Sequence, residues 1–205
     1  LIVSRGLGDV YKRQVVSLYF VTNALSAFLL LFTILFYVFV YTIWLKRKTP
    51  QNIVIGGASG ALPPVIGWAI ATNSISLESI AFFLIIFFWT PSHFWALSLY
   101  KADDYKKAGI PMLPVTNGIQ DTKKNILIYS LLMIPTIVFP YYIGFVGEVF
   151  LALSLLLTFY YNLICYQLYN YKVGKFNIKK ARHIFSYSII YLFLIFVFFL
   201  VDKVL

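Results

Sequence analysis

Acidic side chains are scarce in this chain, which has seven Asp and Glu residues against seventeen Lys and Arg residues in a length of 205. Charged residues of both signs make up only 12% of the sequence, about half of what a soluble domain carries, whereas 61% is hydrophobic. Because so few charges cannot cover so much apolar surface, an ordinary water-soluble globule is excluded. The hydrophobic content also excludes an intrinsically disordered chain.

Cysteine and histidine are nearly absent. Cys165 is the single cysteine and lies in an apolar run, which excludes a disulfide framework and a paired-cysteine metal or redox site. His93 and His183 are too far apart in sequence to form a metal site by themselves. The net charge of +10 would favour nucleic acid in a soluble protein, but the basic residues here flank long apolar segments. Membrane topology explains them better, so we expect no nucleic-acid partner.

The first fourteen residues differ from the rest of the chain. The sequence begins with Leu1, and residues 4–14 read SRGLGDVYKRQ, a polar stretch that resembles the translation of an adapter used in preparing sequencing libraries. Residues 1–14 are therefore predicted to be a non-native leader, with a genuine cytoplasmic loop as the alternative. Residues 15–205 are predicted to form one transmembrane domain, of which the natural N-terminal part precedes this sequence.

The apolar segments have the lengths of membrane spans, since a bilayer core needs about 20 residues per helix. The uncharged run over residues 15–45 is too long for one span, and a break near Thr22 and Asn23 divides it into a stub, 15–22, and a first complete helix, 24–45. The other predicted spans are 52–72, 77–100, 124–144, 148–170 and 183–204. The predicted fold class is all-α, a polytopic transmembrane bundle of six complete helices and a stub.

Basic residues alternate between the loops, as the positive-inside rule requires. The loops between the basic ones contain only Glu78 and Glu148 as charged residues, and Lys203 alone falls on the less basic side. The basic loops contain Lys46, Arg47 and Lys48; Lys101, Lys106, Lys107, Lys123 and Lys124; and Lys172, Lys175, Lys179, Lys180 and Arg182. These loops are predicted to be cytoplasmic, in a bacterial-type inner membrane.

The second span is rich in small residues and contains two adjacent prolines. Gly56, Gly57 and Gly60 predict a face on which another helix packs closely, and direct contact with a ligand is the alternative. Pro63 and Pro64 lack the N–H groups that a continuous helix needs, so we expect a kink or a break there.

Polar groups concentrate between residues 89 and 118, around the second of the basic loops. His93 lies inside the third span, where an ionisable group is costly unless it faces a cavity or a partner. A hydrogen-bonded structural histidine is an equally good interpretation. If the helix runs on through the end of the span, His93, Tyr100 and Asp104 lie on about one face.

Adjacent carboxylates mark the same loop. Asp103 and Asp104, flanked by Lys101, Lys106 and Lys107, suit a phosphate group bridged by Mg²⁺, because Mg²⁺ takes one or two carboxylates together with phosphate oxygens. The lysines would meet the remaining anionic charge. From composition alone, a solvated loop whose lysines only set the topology is the simpler interpretation.

Two segments carry a family resemblance. YTIWLKRKTPQNIVIGGASGALPPVIGWA, residues 41–69, and FFWTPSHFWALSLYKADDYKKAGIPMLPV, residues 87–115, resemble the haem O synthase, or protohaem IX farnesyltransferase, family of UbiA-type intramembrane prenyltransferases. The resemblance implies nine transmembrane helices around a central cavity. It also implies two aspartate-rich motifs on the cytoplasmic side, which bind Mg²⁺ and a prenyl diphosphate. The first of these motifs would precede residue 15, as would the first two helices of the family.

The second motif matches this sequence at Asp104 and Tyr105, with Asp103 as a less certain member and Lys101 in the basic position before it. The resemblance implies that Asp104 and Asp103 hold the metal and act in catalysis together with Lys101. It also gives a set of candidate substrate-binding residues. They are Lys46, Arg47, Asn52, His93, Tyr100, Tyr105 and Lys106.

The implied activity is transfer of a farnesyl group from farnesyl diphosphate to a vinyl group of haem b, giving haem O. The implied cofactor is Mg²⁺, and the implied partners are both substrates, the lipid bilayer, and a haem A synthase or a terminal-oxidase assembly. For Asn52 an N-cap role is an equally good interpretation, and for His93 haem ligation is one of several possible roles.

Three other functions are weighed against this one. The nearest is a UbiA-type enzyme with another acceptor, such as a quinone precursor. A transporter or channel would also place His and Asp inside a helical bundle, but it should show an internal repeat, and none relates residues 15–110 to 111–205. A non-catalytic structural subunit would leave the polar loop without a purpose.

Overall fold

The computed structural model describes residues 2–171 and 177–204. Within these ranges the chain is helical, with one π-helical segment and no β-strand. The elements are α1 Ile2–Val21, α2 Ala24–Leu35, the π-helical segment Phe36–Leu45, α3 Asn52–Ala61, α4 Pro63–Thr72, α5 Leu77–Tyr100, α6 Ala102–Lys107, α7 Leu113–Thr116, α8 Gly118–Tyr142, α9 Glu148–Tyr169 and α10 Ile178–Val204.

Six stretches of the described chain are long and apolar enough to cross a membrane, which confirms the all-α, multi-pass prediction. Two of their starts were predicted too late, because α8 begins at Gly118 and α10 at Ile178. Polar first turns extend both helices toward the membrane surface. Lys123, predicted in a loop, is buried in α8, where its Nζ donates to the carbonyl of Tyr171 at 2.8 Å.

The break before α2 is confirmed and has a side-chain cause. Asn23 caps α2, since its Oδ1 accepts the N–H of Ser26 at 2.8 Å. The same side chain donates through Nδ2 to the carbonyl of Ala69 at 2.7 Å, near the end of α4. On the other side of the break, α1 runs without interruption through residue 14, the predicted end of the leader.

The second span is broken as its prolines predict. Leu62 separates α3 from α4, and Pro63 begins α4 at a position where the missing N–H has no helical partner to lose. Non-helical backbone at membrane depth is tolerated where protein surrounds it.

The π-helical segment was not predicted. Its wider turn is closed by bonds such as that from the Lys46 N–H to the Tyr41 carbonyl, at 2.8 Å. The widening changes the helical register, and the rings of Tyr37 and Tyr41 lie 5.3 Å apart between centroids. Such segments are frequent at functional sites.

The core lies among α5, α8, α9 and α10, which pack on one another. Trp95 is fully buried there, and polar contacts join the helices. Ser92 Oγ lies 2.9 Å from the hydroxyl of Tyr161, and Thr158 Oγ1 lies 2.9 Å from that of Tyr191. Such interhelical hydrogen bonds and close packing hold transmembrane helices together, since lipid gives no hydrophobic driving force between them.

The helices place the loops at two ends. The loops after α2 with its π-helical extension, after α5 and after α9 share one end, which we call the basic end. At the opposite end Asp202 accepts the N–H groups of Gly147 and Phe150, at 2.7 and 3.1 Å. Lys203 is at that end, as predicted. Lys172 and Lys175, which the sequence analysis assigned to a basic loop, lie outside the described residues.

Candidate active site

The two aspartates lie on a short helix that does not continue α5. The helix α5 ends at Tyr100, and Lys101 leaves the helical conformation with φ −111° and ψ 17°. The next helix, α6, carries Asp103 and Asp104 in its first turn. The condition for a face shared by His93 and Asp104 is therefore not met, and His93 lies nearly two turns before the end of α5.

Asp104 forms an ion pair with Lys101, whose Nζ lies 3.0 Å from Oδ2. The two side chains are 63% and 52% exposed, so solvent screens the pair and it adds little to stability. Asp103 and Lys106 are also exposed. The charged groups of the motif are therefore accessible to a ligand at the basic end.

The motif by itself fits Mg²⁺ incompletely. Among the described residues, no group of three or more His, Cys, Asp or Glu side chains is placed to hold a metal. Asp103 and Asp104 supply two carboxylates, which is the number that Mg²⁺ takes from protein when a substrate's phosphate oxygens fill other positions. The donor set suits a metal that arrives with a phosphorylated substrate rather than one bound permanently.

Tyr105 connects the motif to the membrane-embedded part of the site. Its phenol is half-buried, and this burial raises its pKa above the ordinary value, as do the neighbouring Tyr100 and Asp104, while Lys101 opposes the shift. Tyr105 therefore stays protonated at neutral pH and can donate a hydrogen bond. It also lies close enough to Tyr41 for the two phenols to interact electrostatically.

Tyr41 belongs to a cavity of about 380 Å³ between the π-helical segment, α3 and α5. Most of the lining is apolar. The hydroxyls of Ser59 and Thr90 are bonded to carbonyls of their own helices, Gly56 and Ile86, at 2.7 Å each. The lining residues are Tyr37, Tyr41, Ile53, Gly56, Gly57, Ser59, Gly60, Ile86, Trp89, Thr90 and Phe94. Such a lining suits a hydrocarbon chain.

The glycines of α3 shape this cavity. A Cβ at Gly56 would overlap Cδ2 of Tyr41, and one at Gly57 would lie 3.0 Å from Cγ2 of Thr90. The prediction of close packing is confirmed for these two glycines. It is wrong for Gly60, where a Cβ would meet nothing within 4 Å, because this residue faces open space in the cavity.

The first basic loop, which carries Lys46 and Arg47, is fixed to α3 by Asn52. This side chain is buried, and its Nδ2 donates to the carbonyl of Lys46 at 3.1 Å. The N-cap interpretation is wrong, since Asn52 is the first residue of α3 and Gln51 precedes it at the cap position. Oδ1 of Asn52 has no hydrogen-bond partner among the described residues, and so an acceptor is left at the base of the loop.

His93 has the surroundings of a structural histidine. It is buried, its Nδ1 lies 2.6 Å from Oγ of Ser188, and its ring stacks between those of Trp89 and Phe185 at centroid distances of 4.3 and 4.6 Å. Trp89 and Phe94 line the cavity, whereas His93 does not. These contacts join α5 to α10 and favour the structural interpretation.

Comparison with known proteins identifies the family of this chain. Residues 14–190 match the UbiA prenyltransferase family. The chain belongs to this family. No solved structure matches the chain. The UbiA prenyltransferase domain therefore covers the cavity, the aspartate motif and the basic loops described above.

Curated relatives of this UbiA chain are similar along most of its length. It is 74% identical over 192 residues to "Protoheme IX farnesyltransferase" of Pelagibacter ubique, which covers 94% of this chain and 63% of that protein. It is 50% identical over 183 residues to the protein of the same name from Parvibaculum lavamentivorans, covering 89% and 58%. The corresponding protein of Azorhizobium caulinodans is 51% identical over 183 residues, covering 89% and 60%. The chain thus spans about three-fifths of the length of these relatives.

The structure brings several predicted residues of the UbiA site together. Four of them are neighbours at the end of α5 and the start of α6: Tyr100, Lys101, Asp104 and Tyr105. At the same end of the bundle, the carbonyl of Lys46 accepts a hydrogen bond from Asn52. The substrate-binding assignments of these residues, of Arg47 and of Lys106 stay predictions.

One residue near the motif was missed. Arg182 of α10 lies over the ring of Tyr100, with Cζ 5.5 Å from the centroid, and the same ring meets Phe185 edge-on. The sequence analysis gave Arg182 only a topological role, because its loop is distant from the motif in sequence. A cation directly before the predicted span start at residue 183 is the signal that could have found it.

Proposed function

We propose that this chain is the larger part of an enzyme that transfers a farnesyl group from farnesyl diphosphate to a vinyl group of haem b, releasing diphosphate and giving haem O. The supporting observation is the placement of an exposed carboxylate and lysine motif next to an apolar cavity, through Tyr105 and Tyr41. The name of the relatives, protohaem IX farnesyltransferase, and the identities of 74% and 50% to them support the choice of substrates.

In this proposal the bond between C1 of the farnesyl group and the diphosphate oxygen breaks, and its electron pair leaves with the diphosphate. The vinyl group then attacks the allylic cation at C1. Water adds to the cation formed on the haem side chain and loses a proton, which completes the hydroxyethylfarnesyl group. The protein must bind the leaving group, place the two substrates together and exclude stray water.

Asp104, assisted by Asp103, would hold Mg²⁺ against the diphosphate. Bound Mg²⁺ neutralises phosphate charge and makes diphosphate a better leaving group. Lys101 changes its partner from Asp104 to a diphosphate oxygen, and Lys46 and Arg47 meet charge from the first basic loop. These are the metal-binding and catalytic roles that we propose for the motif.

The cavity would hold the farnesyl chain. Its apolar wall excludes water, and the rings of Tyr41, Trp89 and Phe94 offer π-faces to an allylic cation, each contributing about 0.5–2 kcal/mol where it makes contact. The neutral phenol of Tyr105 would donate a hydrogen bond at the boundary between the cavity and the diphosphate. For His93 we propose a positioning role through Ser188 rather than ligation of the haem iron.

We also propose that the basic end faces the cytoplasm, since excess Lys and Arg marks cytoplasmic loops, and that the membrane is a bacterial inner membrane. The product would be consumed by a haem-modifying enzyme or an oxidase assembly. We propose further that residues 1–14 are a non-native leader and that the enzyme domain begins near residue 15.

The test is to supply the full-length protein in membranes with farnesyl diphosphate, Mg²⁺ and either haem b or a hydroxybenzoate-type quinone precursor. We expect a more hydrophobic haem, identified by its mass after extraction, and no prenylated quinone precursor. Prenylation of the aromatic acid with haem b unchanged would replace the proposal with a UbiA-type enzyme of another acceptor. Absence of product from both would contradict a prenyltransferase.

A further inference from the structure

A second polar cavity lies at the basic end, between α9 and α10. It has a volume of about 210 Å³ and is lined by Ile164, Gln167, Asn177, Lys179, Lys180 and His183. We call it the α9–α10 notch. It shares no lining residue with the cavity of the candidate active site, and the proposed reaction uses none of its side chains.

The notch concentrates positive charge without a local counter-charge. The sequence contains no Asp or Glu from residue 149 to residue 201, so neither helix can neutralise these lysines until Asp202 at the opposite end. Within the described ranges, the ion pair found joins Lys101 to Asp104, and no carboxylate pairs with Lys179 or Lys180. An anion entering the notch would therefore meet uncompensated charge.

The side chains of the notch are held at its walls. Nζ of Lys180 lies 3.4 Å from the carbonyl of Gln167 and 5.5 Å from the ring centroid of Tyr171. On the membrane side, Nε2 of His183 lies 3.2 Å from the hydroxyl of Tyr160. Asn177 accepts the backbone N–H of Lys180 through Oδ1, at 3.2 Å. The polar groups thus converge from both helices on one space.

Below the notch the surface is apolar and open to lipid. On α10, Lys179, His183 and Ile190 follow one another at helical spacing, so one exposed face changes from basic to apolar along its length. Ile190 is 54% exposed, and Leu163 on α9 is 40% exposed. Tyr160 stands between the two regions, with its ring among apolar groups and its hydroxyl toward His183, as tyrosines do at a membrane interface.

We propose that the α9–α10 notch binds the phosphodiester headgroup of an anionic phospholipid, such as phosphatidylglycerol, with the acyl chains lying along the apolar faces of α9 and α10. Charge complementarity favours an anionic headgroup, and basic pockets between transmembrane helices are suited to one. The continuous apolar face favours a lipid over a soluble phosphate, which would gain nothing from Leu163 or Ile190.

Native mass spectrometry of the detergent-solubilised protein tests this proposal. Phosphatidylglycerol and phosphatidylcholine of equal chain length are titrated onto the wild type, a Lys179→Ala and Lys180→Ala double variant, and Lys124→Ala. Lys124 is an exposed lysine at the same end, on α8, and serves as the matched control. A Lys180→Arg variant keeps the charge, and elution as a single species by gel filtration shows that each variant is folded.

We expect tighter binding of phosphatidylglycerol than of phosphatidylcholine, and a loss of about fivefold in affinity for each lysine removed. Lys124→Ala and Lys180→Arg should bind as the wild type does. Equal affinity for both lipids, or unchanged binding by the double variant, would overturn the proposal. Displacement of the lipid by millimolar glycerol phosphate would make the notch a site for soluble anions and would also overturn it. A dimer that binds no lipid would indicate that this surface contacts a second copy of the chain, and this result would overturn the proposal.

Discussion

Replacing Asp104 by Asn tests whether its carboxylate has a structural role or a catalytic one. The pair with Lys101 is exposed on both sides, so its loss in Asp104→Asn should cost about 0.2–1 kcal/mol of stability. If the same carboxylate holds the Mg²⁺ that neutralises the diphosphate, its loss should lower the rate by about 10²–10³-fold, equivalent to about 2.7–4 kcal/mol. The two effects differ enough to be distinguished in one experiment.

The assay is haem O formation by the full-length protein in membranes, at saturating haem b and with farnesyl diphosphate varied. Asp121→Asn is the matched control, because it removes an exposed carboxylate from the first turn of α8 at the same end. We expect Asp104→Asn to lose activity with a thermal midpoint near that of the control, and higher Mg²⁺ to restore part of the rate. Activity of Asp104→Asn within threefold of Asp121→Asn would remove this residue from the metal site.

Three further predictions concern the loops and the cavity. Replacing Lys46 and Arg47 together by Ala should raise the KM for farnesyl diphosphate about tenfold or more with little change in that for haem b, and equal effects on both would leave these residues a topological role only. Tyr105→Phe should lower kcat by the same factor at pH 7 and pH 9, because a phenol whose pKa is raised above 10 stays protonated at both, and a factor that changes between them would indicate a tyrosinate. Gly56→Ala should destabilise the protein by about 1–3 kcal/mol, because its Cβ would overlap the ring of Tyr41, whereas Gly60→Ala has open space and should not; equal shifts in thermal midpoint would contradict the packing described here.

Sequence patterns predicted the spans well because lipid imposes a simple rule on them. A membrane core requires long apolar helices, and charged loops must lie outside it. The length of the apolar runs and the Lys and Arg content of the loops were therefore sufficient to predict six spans. The start of α8 was missed because the rule detects only the apolar part of a helix. Thr122 and Lys123 lie in a helical turn whose polar side chains are buried against neighbouring helices, which hydropathy cannot register.

The residues of the candidate site stay predictions, and their geometry was not predicted. The resemblance identified Asp104 and Lys101, yet the periodicity argument extended α5 beyond Tyr100, where Lys101 ends it. Arg182 reaches Tyr100 only through the packing of α10 on α5, a contact between residues far apart in sequence. The π-helical segment was not predicted either, because it lies within an uninterrupted apolar run and the close approach of Tyr41 to Gly56 is seen only in the structure.

The helix α5 contributes both to the core and to the candidate active site, because its faces have different neighbours. One face, with Ser92 and Trp95, is buried in the core with α8, α9 and α10, where specific hydrogen bonds fix its rotation. Another lines the cavity, and Trp89 belongs to both environments, since its ring borders the cavity while its N–H donates to the carbonyl of Ser188 at 2.9 Å. The orientation of the cavity wall therefore depends on contacts between α5 and α10. The helix α5 then ends directly before the aspartate motif. Residues such as His93 can matter for the reaction in this way without touching a substrate.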